Sequence, residues 1–308
     1  MVAPVTPAVL LIFFRRPEQT AQVFQAIRAA RPARLFLAAD GPRPRPGEAE
    51  ACRAARAAVQ GVDWPCEVKT FFREANVGIR QNVAEAITWF LGEVGEGVIL
   101  EDDCLPSPEF FGFAAEGLER YRDDRRVTQI CGTSFVAQAG RPESYYFSRY
   151  GHGWGWATWK RAWNLVDLGM DTLEDFLKEA DETGFWDSRK ERKYWRTMFR
   201  RTRDLPIDTW DYQWVLSQWA AGGLSVYPNR NLVTNLGFHE LASNTVQNQS
   251  PKGGKPLESL GQIVHPAMVL RDHRSDRTTF LVHYWGHPWE RLLSRLRTLR
   301  RYLGGSQR

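Results

Sequence analysis

Residues 97 to 110 read "GVILEDDCLPSPEF": an apolar run leads straight into Glu101, Asp102 and Asp103, and the chain then meets Pro106 and Pro108. Three adjacent carboxylates repel one another, and a fold usually tolerates that only with solvent or a cation between them. Two readings stand for the triplet alone. One is a solvated acidic turn; the other is a hard-oxygen site for Mg²⁺ or Mn²⁺ that completes its shell with substrate phosphates. Arg15, Arg16 and Arg80 each read singly as solvated surface charges. Together at one edge they would complement a diphosphate.

The elements that must position these residues alternate apolar strands with helical patterns, which predicts an α/β fold with a mostly parallel sheet. "AVLLIFF" (8 to 14), "RLFLAAD" (34 to 40), "CEVKTFF" (66 to 72) and "GVIL" (97 to 100) are the expected strands. Helical spacing runs from Glu18 to Ala30, over roughly 48 to 60, and from Val83 to Leu91. Arg15, Asp40 and the acidic triplet then each sit just past the carboxyl end of a strand, the edge at which open α/β sheets bind ligands. The turn "FFRRPEQT" carries no glycine and there is no GxxxxGK[ST], so neither a dinucleotide-binding turn nor a P-loop is present. The same missing glycines count against a sugar nucleotidyltransferase.

The second half changes character: nine of the thirteen tryptophans lie between residues 144 and 219. In "GHGWGWATW" (151 to 159), glycines separate Trp154, Trp156 and Trp159, which predicts a shaped, exposed loop whose rings form a platform for a sugar or a base. A tryptophan-rich core turn is the alternative. Asp211, between Trp210 and Tyr212 in "TWDYQW", is expected to be partly desolvated and so to become a better base. The alternative is that Asp208 or Asp211 merely caps the helix that follows.

Several ordered stretches resemble the nucleotide-sugar-binding core of glycosyltransferases of the GT-A fold. They are "NVGIRQNVAEAITWFLGEVGEGVILEDDCLPSPEFF" (76 to 111), "SRYGHGWGWATWKRAW" (148 to 163), "DTWDYQWVLSQW" (208 to 219) and "NLVTNLGF" (231 to 238). The chain is similar in particular to the N-acetylglucosaminyltransferase I family and to bacterial family 2-like nucleotide-diphospho-sugar transferases. The resemblance implies a Rossmann-like mixed, mostly parallel sheet flanked by helices, with a catalytic domain over residues 1–245 and a C-terminal extension over 246–308. It implies that Asp103 ligates Mn²⁺ or Mg²⁺, that Asp102 lies at the ribose, and that Glu101 bonds the donor sugar. Asp40 would read the base with Arg15 beside it, Asp211 would be the general base of an inverting transfer, and Trp210 would flank the sugar. A late histidine binds the metal in some members, which points to His239. The implied donor is a nucleoside-diphosphate sugar, UDP first, and the implied acceptor a glycan, lipid-linked or polysaccharide chain.

Composition bounds these readings. With 308 residues and 43% hydrophobic content the chain can bury a core of its own, and no stretch approaches the roughly 20 apolar residues of a membrane span. The start "MVAPVTPA" lacks the basic segment of a secretory signal, and Cys52, Cys66, Cys104 and Cys131 form no CxxC pair, so free thiols and a cytoplasmic location are expected. His265, His273, His283 and His287 have no metal-site spacing. Six arginines interleave with leucines in "RLLSRLRTLRRYLGGSQR" (291 to 308), a basic amphipathic pattern that either packs on the domain or contacts anionic lipid at the inner membrane face. No recognition motif accompanies the charge, so nucleic acid is not expected as a partner. The rival readings are a metal-dependent nucleotidyltransferase or phosphohydrolase, and a nucleotide-sugar-binding protein without turnover.

Overall fold

A computed structural model of the chain describes residues 6–136, 141–238 and 255–285. The chain runs β1 (Val9–Phe13), α1 (Pro17–Ala30), β2 (Arg34–Ala39), α2 (Glu48–Ala57), β3 (Glu67–Phe72), α3 (Ile79–Val94) and β4 (Glu96–Glu101). It continues through β5 (Cys104–Pro106), α4 (Pro108–Arg120), β6 (Val127–Cys131), β7 (Tyr145–Ser148), β8 (Trp156–Trp159) and α5 (Lys160–Trp163). Last come α6 (Leu173–Glu182), α7 (Arg189–Asp204), α8 (Asp211–Ala220), β9 (Leu224–Pro228), β10 (Val233–Asn235) and α9 (His273–Thr279). The expected mixed, mostly parallel sheet flanked by helices is the one observed.

The large sheet has the order β3-β2-β1-β4-β8-β6-β9-β7. β1 to β4 are mutually parallel; β8 is antiparallel to both neighbours, β6 and β9 are parallel, and β7 closes the far edge antiparallel. β1 and β2 are apolar almost throughout because helices cover both faces, which is the sequence signature of buried parallel strands. β3, at the open edge, instead alternates and carries Glu67 and Lys69, charges that disfavour edge-to-edge pairing.

From β1 the chain steps outward to β2 and β3, then returns to place β4 on the other side of β1. The switch point therefore lies between β1 and β4, where ligand crevices form in such sheets. Ile12 is level with Glu101, so residues 14–16 and 102–103 leave the sheet side by side. β5 and β10 form a separate antiparallel pair, in which Leu236 donates its amide to the Asp103 carbonyl at 2.7 Å.

A second core joins α6, α7 and α8 to a π-helical turn over Phe280–Trp285, around Tyr150, Trp195, Phe199, Leu216 and Trp219. The helix α7 turns Trp195, Phe199 and Thr202 inward and its many arginines outward. Behind it, Arg149 and Glu191 form a buried ion pair, and Arg149 also donates to the Phe185 carbonyl at 2.7 Å. Residues 255–271 pack back on the sheet: Ser144 donates to Val264 and Leu260 donates to the Glu109 carboxylate at 2.6 Å. Among the described residues no helix is long and apolar enough to cross a membrane.

Trp156 corrects the platform expectation. It lies in β8 with 0% of its surface exposed and stacks on Trp210 at 5.7 Å and 17°, while Trp159 is buried in the same strand. Trp163, Trp210 and Trp214 pack against the Trp156 ring, so the rings that the glycine spacing suggested were exposed serve as core. Trp156→Ala should therefore destabilise the chain by about 3–5 kcal/mol in urea unfolding. A loss below about 1 kcal/mol would place the ring on the surface instead.

Candidate active site

At the β1/β4 switch point the repulsion within the acidic triplet is relieved from inside the chain. Arg16 Nη1 lies 3.1 Å from Asp102 Oδ1 and 3.0 Å from Asp103 Oδ2, and the Phe14 amide donates to Asp102 Oδ2 at 3.2 Å. Burial pushes the Asp102 carboxyl up to about 6, aided by Asp103 and opposed by Arg16. Burial likewise raises Glu101 well above the ordinary carboxyl range, with Asp103, Asp102 and Asp211 adding to the effect. A negative charge on Glu101 is therefore less favourable than on an open carboxylate.

Among the described residues no three His, Cys, Asp or Glu side chains converge to enclose an ion. Asp102 and Asp103 do converge on one positive atom, Arg16 Nη1. A hard ion held by one or two carboxylates and otherwise by water and phosphate needs no more from the protein. His239 lies outside the described residues.

Arg15 turns towards α2, pairing with Glu48 at 3.1 Å, and Glu48 also takes Arg43 at 2.7 Å. The Arg43 hydrogen bonds hold the Glu48 carboxyl down to about 2. Arg43 and Arg15 stand 5.4 and 6.0 Å from the centre of the Phe14 ring, so two cations gather around one aromatic face beside β1. Arg43 escaped the sequence reading because nothing in "GPRPRPG" separates it from a solvated loop arginine.

Asp40 departs from the base-reading expectation. It is buried, and its two oxygens already accept from the amides of Gly41, Val77 and Gly78 and from Asn76 Nδ2 at 2.8–3.3 Å. Gly41 permits this closeness, since a side-chain carbon there would fall 2.4 Å from the Ala75 backbone. Asp40 therefore holds the segment before α3 rather than offering its lone pairs outward. Arg80 is exposed on the first turn of α3; its amide donates to Asp208 at 2.8 Å, and its guanidinium makes no ion pair among the described residues.

Beside the triplet opens a cavity of about 320 Å³, lined by Glu101, Trp154, Trp195, Trp210, Asp211 and Tyr284 among others. Trp154 and Trp210 both line it. Asp211 is the first residue of α8 and is exposed, not desolvated, because Trp210 turns into the core and Tyr212 towards Tyr194. Its Oδ1 accepts from the Thr209 hydroxyl and, at 3.0 Å, from the Tyr212 amide. His152 and His283 meet in the cavity wall, Nε2 to Nε2 at 3.2 Å, and burial holds His152 down to about 3, so it is neutral. Their pairing across 131 positions leaves no trace in the sequence.

No family model matches the chain, and no curated protein matches it. Among solved structures it is similar to the mannosyltransferase PcManGT from Pyrobaculum calidifontis in complex with GDP-Man and Mn²⁺. That likeness has 14% identity over 71% of this chain and 74% of the other, with a TM-score of 0.37. It is also similar to a UDP-glucose pyrophosphorylase complexed with UDP-glucose, at 11% identity over 47% of this chain and 64% of the other, with a TM-score of 0.24. Likenesses this distant carry no argument about ligand or activity, which rests on the geometry of the site.

The raised Asp102 carboxyl sets a pH dependence. Its folded value of about 6 lies above the 3.8 of an open aspartate, so between those values the folded chain holds the proton more tightly. Stability therefore falls as pH rises from about 4 to about 6, and stays lower above that. Asp102→Asn keeps an acceptor for the Phe14 amide and removes the charge. It should raise stability at pH 7.5 by the order of 1–3 kcal/mol and by almost nothing at pH 4, in urea unfolding at the two pH values. Equal destabilisation at both would contradict the assignment.

Proposed function

We propose that the chain is a metal-dependent, inverting glycosyltransferase that moves a sugar from a nucleoside-diphosphate sugar to a hydroxyl of a glycan, lipid-linked or polysaccharide acceptor. The observation that carries this reading is the juxtaposition at the β1/β4 switch point. Arg15, Arg16 and the triplet Glu101–Asp103 leave the sheet side by side, next to a ring-lined cavity that also holds Asp211. Cations and carboxylates at such a crevice suit a diphosphate, and aromatic walls with a few polar groups suit a sugar.

In this reading Asp103 would hold a hard divalent ion that neutralises charge on the departing diphosphate, with Asp102 beside it at the ribose. Arg16, which Asp102 and Asp103 share, would pair with phosphate oxygens. Glu101, whose charged form burial disfavours, makes a hydrogen bond to a hydroxyl of the donor sugar. Asp211, open to the cavity, accepts the proton of the acceptor hydroxyl as that oxygen bonds to the anomeric carbon. The bond from this carbon to the diphosphate oxygen breaks on the opposite face, and the nucleoside diphosphate leaves with the electron pair. UDP is favoured as the nucleotide by resemblance alone. An acceptor carried on lipid would bring the basic stretch 291–308, which lies outside the described residues, to an anionic surface.

Product analysis tests the reading. The chain incubated with Mn²⁺, UDP-, GDP- and dTDP-sugars and a panel of glycan acceptors should release free nucleoside diphosphate, and EDTA should abolish the release. Asp211→Asn should lower transfer by about 10²- to 10⁴-fold, the usual contribution of a general base. Release of pyrophosphate, or full activity in both Asp103→Ala and Asp211→Asn, would contradict the proposal.

A further inference from the structure

The helix α3 begins without a cap of its own. Gly78 precedes it with φ +92°, no neighbouring side chain accepts from its first amides, and its first turn contains no acidic residue. A helix N-terminus leaves several N–H groups without partners, and these favour negative charge. The missing acceptor comes from the far half of the chain. Asp208 Oδ2 accepts from the Ile79 amide and Oδ1 from the Arg80 amide, each at 2.8 Å, across 129 and 128 positions. Gly78 makes room for it, because a side-chain carbon there would stand 2.7 Å from Asp208 Oδ2.

Four successive amides are thus divided between two carboxylates: Val77 and Gly78 donate to Asp40, and Ile79 and Arg80 donate to Asp208. Asp40 follows β2, in the half of the sheet that carries the switch point. Asp208 belongs to the short segment that ends in Asp211. Trp210 anchors the end of that segment in the core against Trp156 and Trp163; ahead of it the backbone bonds are local, Ile207 and Thr209 donating to carbonyls only two residues back, and the Thr209 hydroxyl donates to Asp211. Ile79, Asp208, Thr209, Trp210 and Asp211 all line the same cavity.

We propose that Asp208 is a positioning residue. By clamping the first turn of α3, it fixes the 208–211 segment, and with it the Asp211 carboxylate, against the switch-point half of the site. The amides at the α3 N-terminus also offset the charge of Asp208, so a second carboxylate three residues from Asp211 can line the cavity. This rests on the transferase reading for its kinetic consequence but not for its structural one.

The test uses the full chain carrying Asp208→Asn, assayed well below the melting temperature of the variant, and Gly78→Ala as a second variant that pushes the carboxylate away without removing it. Misplacing a reacting group by about an ångström costs on the order of a hundredfold. Both variants should therefore lose about ten- to a hundredfold in kcat with a raised KM for acceptor, while calorimetric affinity for nucleoside diphosphate with Mn²⁺ changes by less than about twofold. Amide hydrogen exchange should quicken in both 77–82 and 206–212. If Asp208 only caps α3, exchange will quicken at 77–82 alone and kcat and acceptor KM will hold, which overturns the proposal. If the wild-type chain turns over no sugar donor, the transferase reading falls, and exchange at 206–212 alone still decides the clamp.

Discussion

One shared cation governs the site. Asp102 and Asp103 leave β4 side by side in a setting that pushes Asp102 towards protonation, and Arg16 from the end of β1 lies within 3.1 Å of both. The contact depends on the switch point: only because β4 pairs with β1, with Ile12 level with Glu101, do a basic and an acidic strand end meet. A fold that sought stability alone would place apolar or neutral groups there, since burying like charges is unfavourable even when they are paired. Such unfavourable arrangements are commonest at functional sites, which is why the proposed function is centred on this one.

The aromatic half supplies what the sheet edge lacks. Trp156, Trp163, Trp210 and Trp214 pack on one another as a wall behind the cavity, and the α7–α8 core stands on its other side. Rigid rings on helices and strands hold a cavity open better than loop residues would, because their rotamers are locked by packing. The carboxylates Asp40 and Asp208 then join the two halves through the amides of residues 77–80. Neither carboxylate needs to touch a ligand to matter.

Much of the first half was legible. Strands β1, β2 and β4 announce themselves as apolar runs because both faces are covered, and the acids or bases directly after them fall at the edge where open α/β sheets form crevices. What the sequence misjudged shares one physical cause: partners distant along the chain. Asp40 looked free to read a base, yet its acceptors are filled by amides some 37 residues on. Trp156 looked exposed between glycines, yet Trp210 and Trp214, more than fifty residues on, pack over it. Asp208 looked like a cap for the helix that follows it and instead caps one that begins 129 residues earlier. Asp211, expected to be hemmed in by rings, is open because each neighbouring ring found a partner elsewhere.

The most direct measurement is anomalous diffraction at the manganese edge from crystals grown with Mn²⁺ and a nucleoside diphosphate. The account predicts one strong peak within bonding distance of an Asp103 oxygen, bridged to diphosphate oxygens, with Arg16 turned from Asp102 and Asp103 towards the phosphate. A peak at another part of the chain, or diphosphate bound away from the β1/β4 edge, would contradict it.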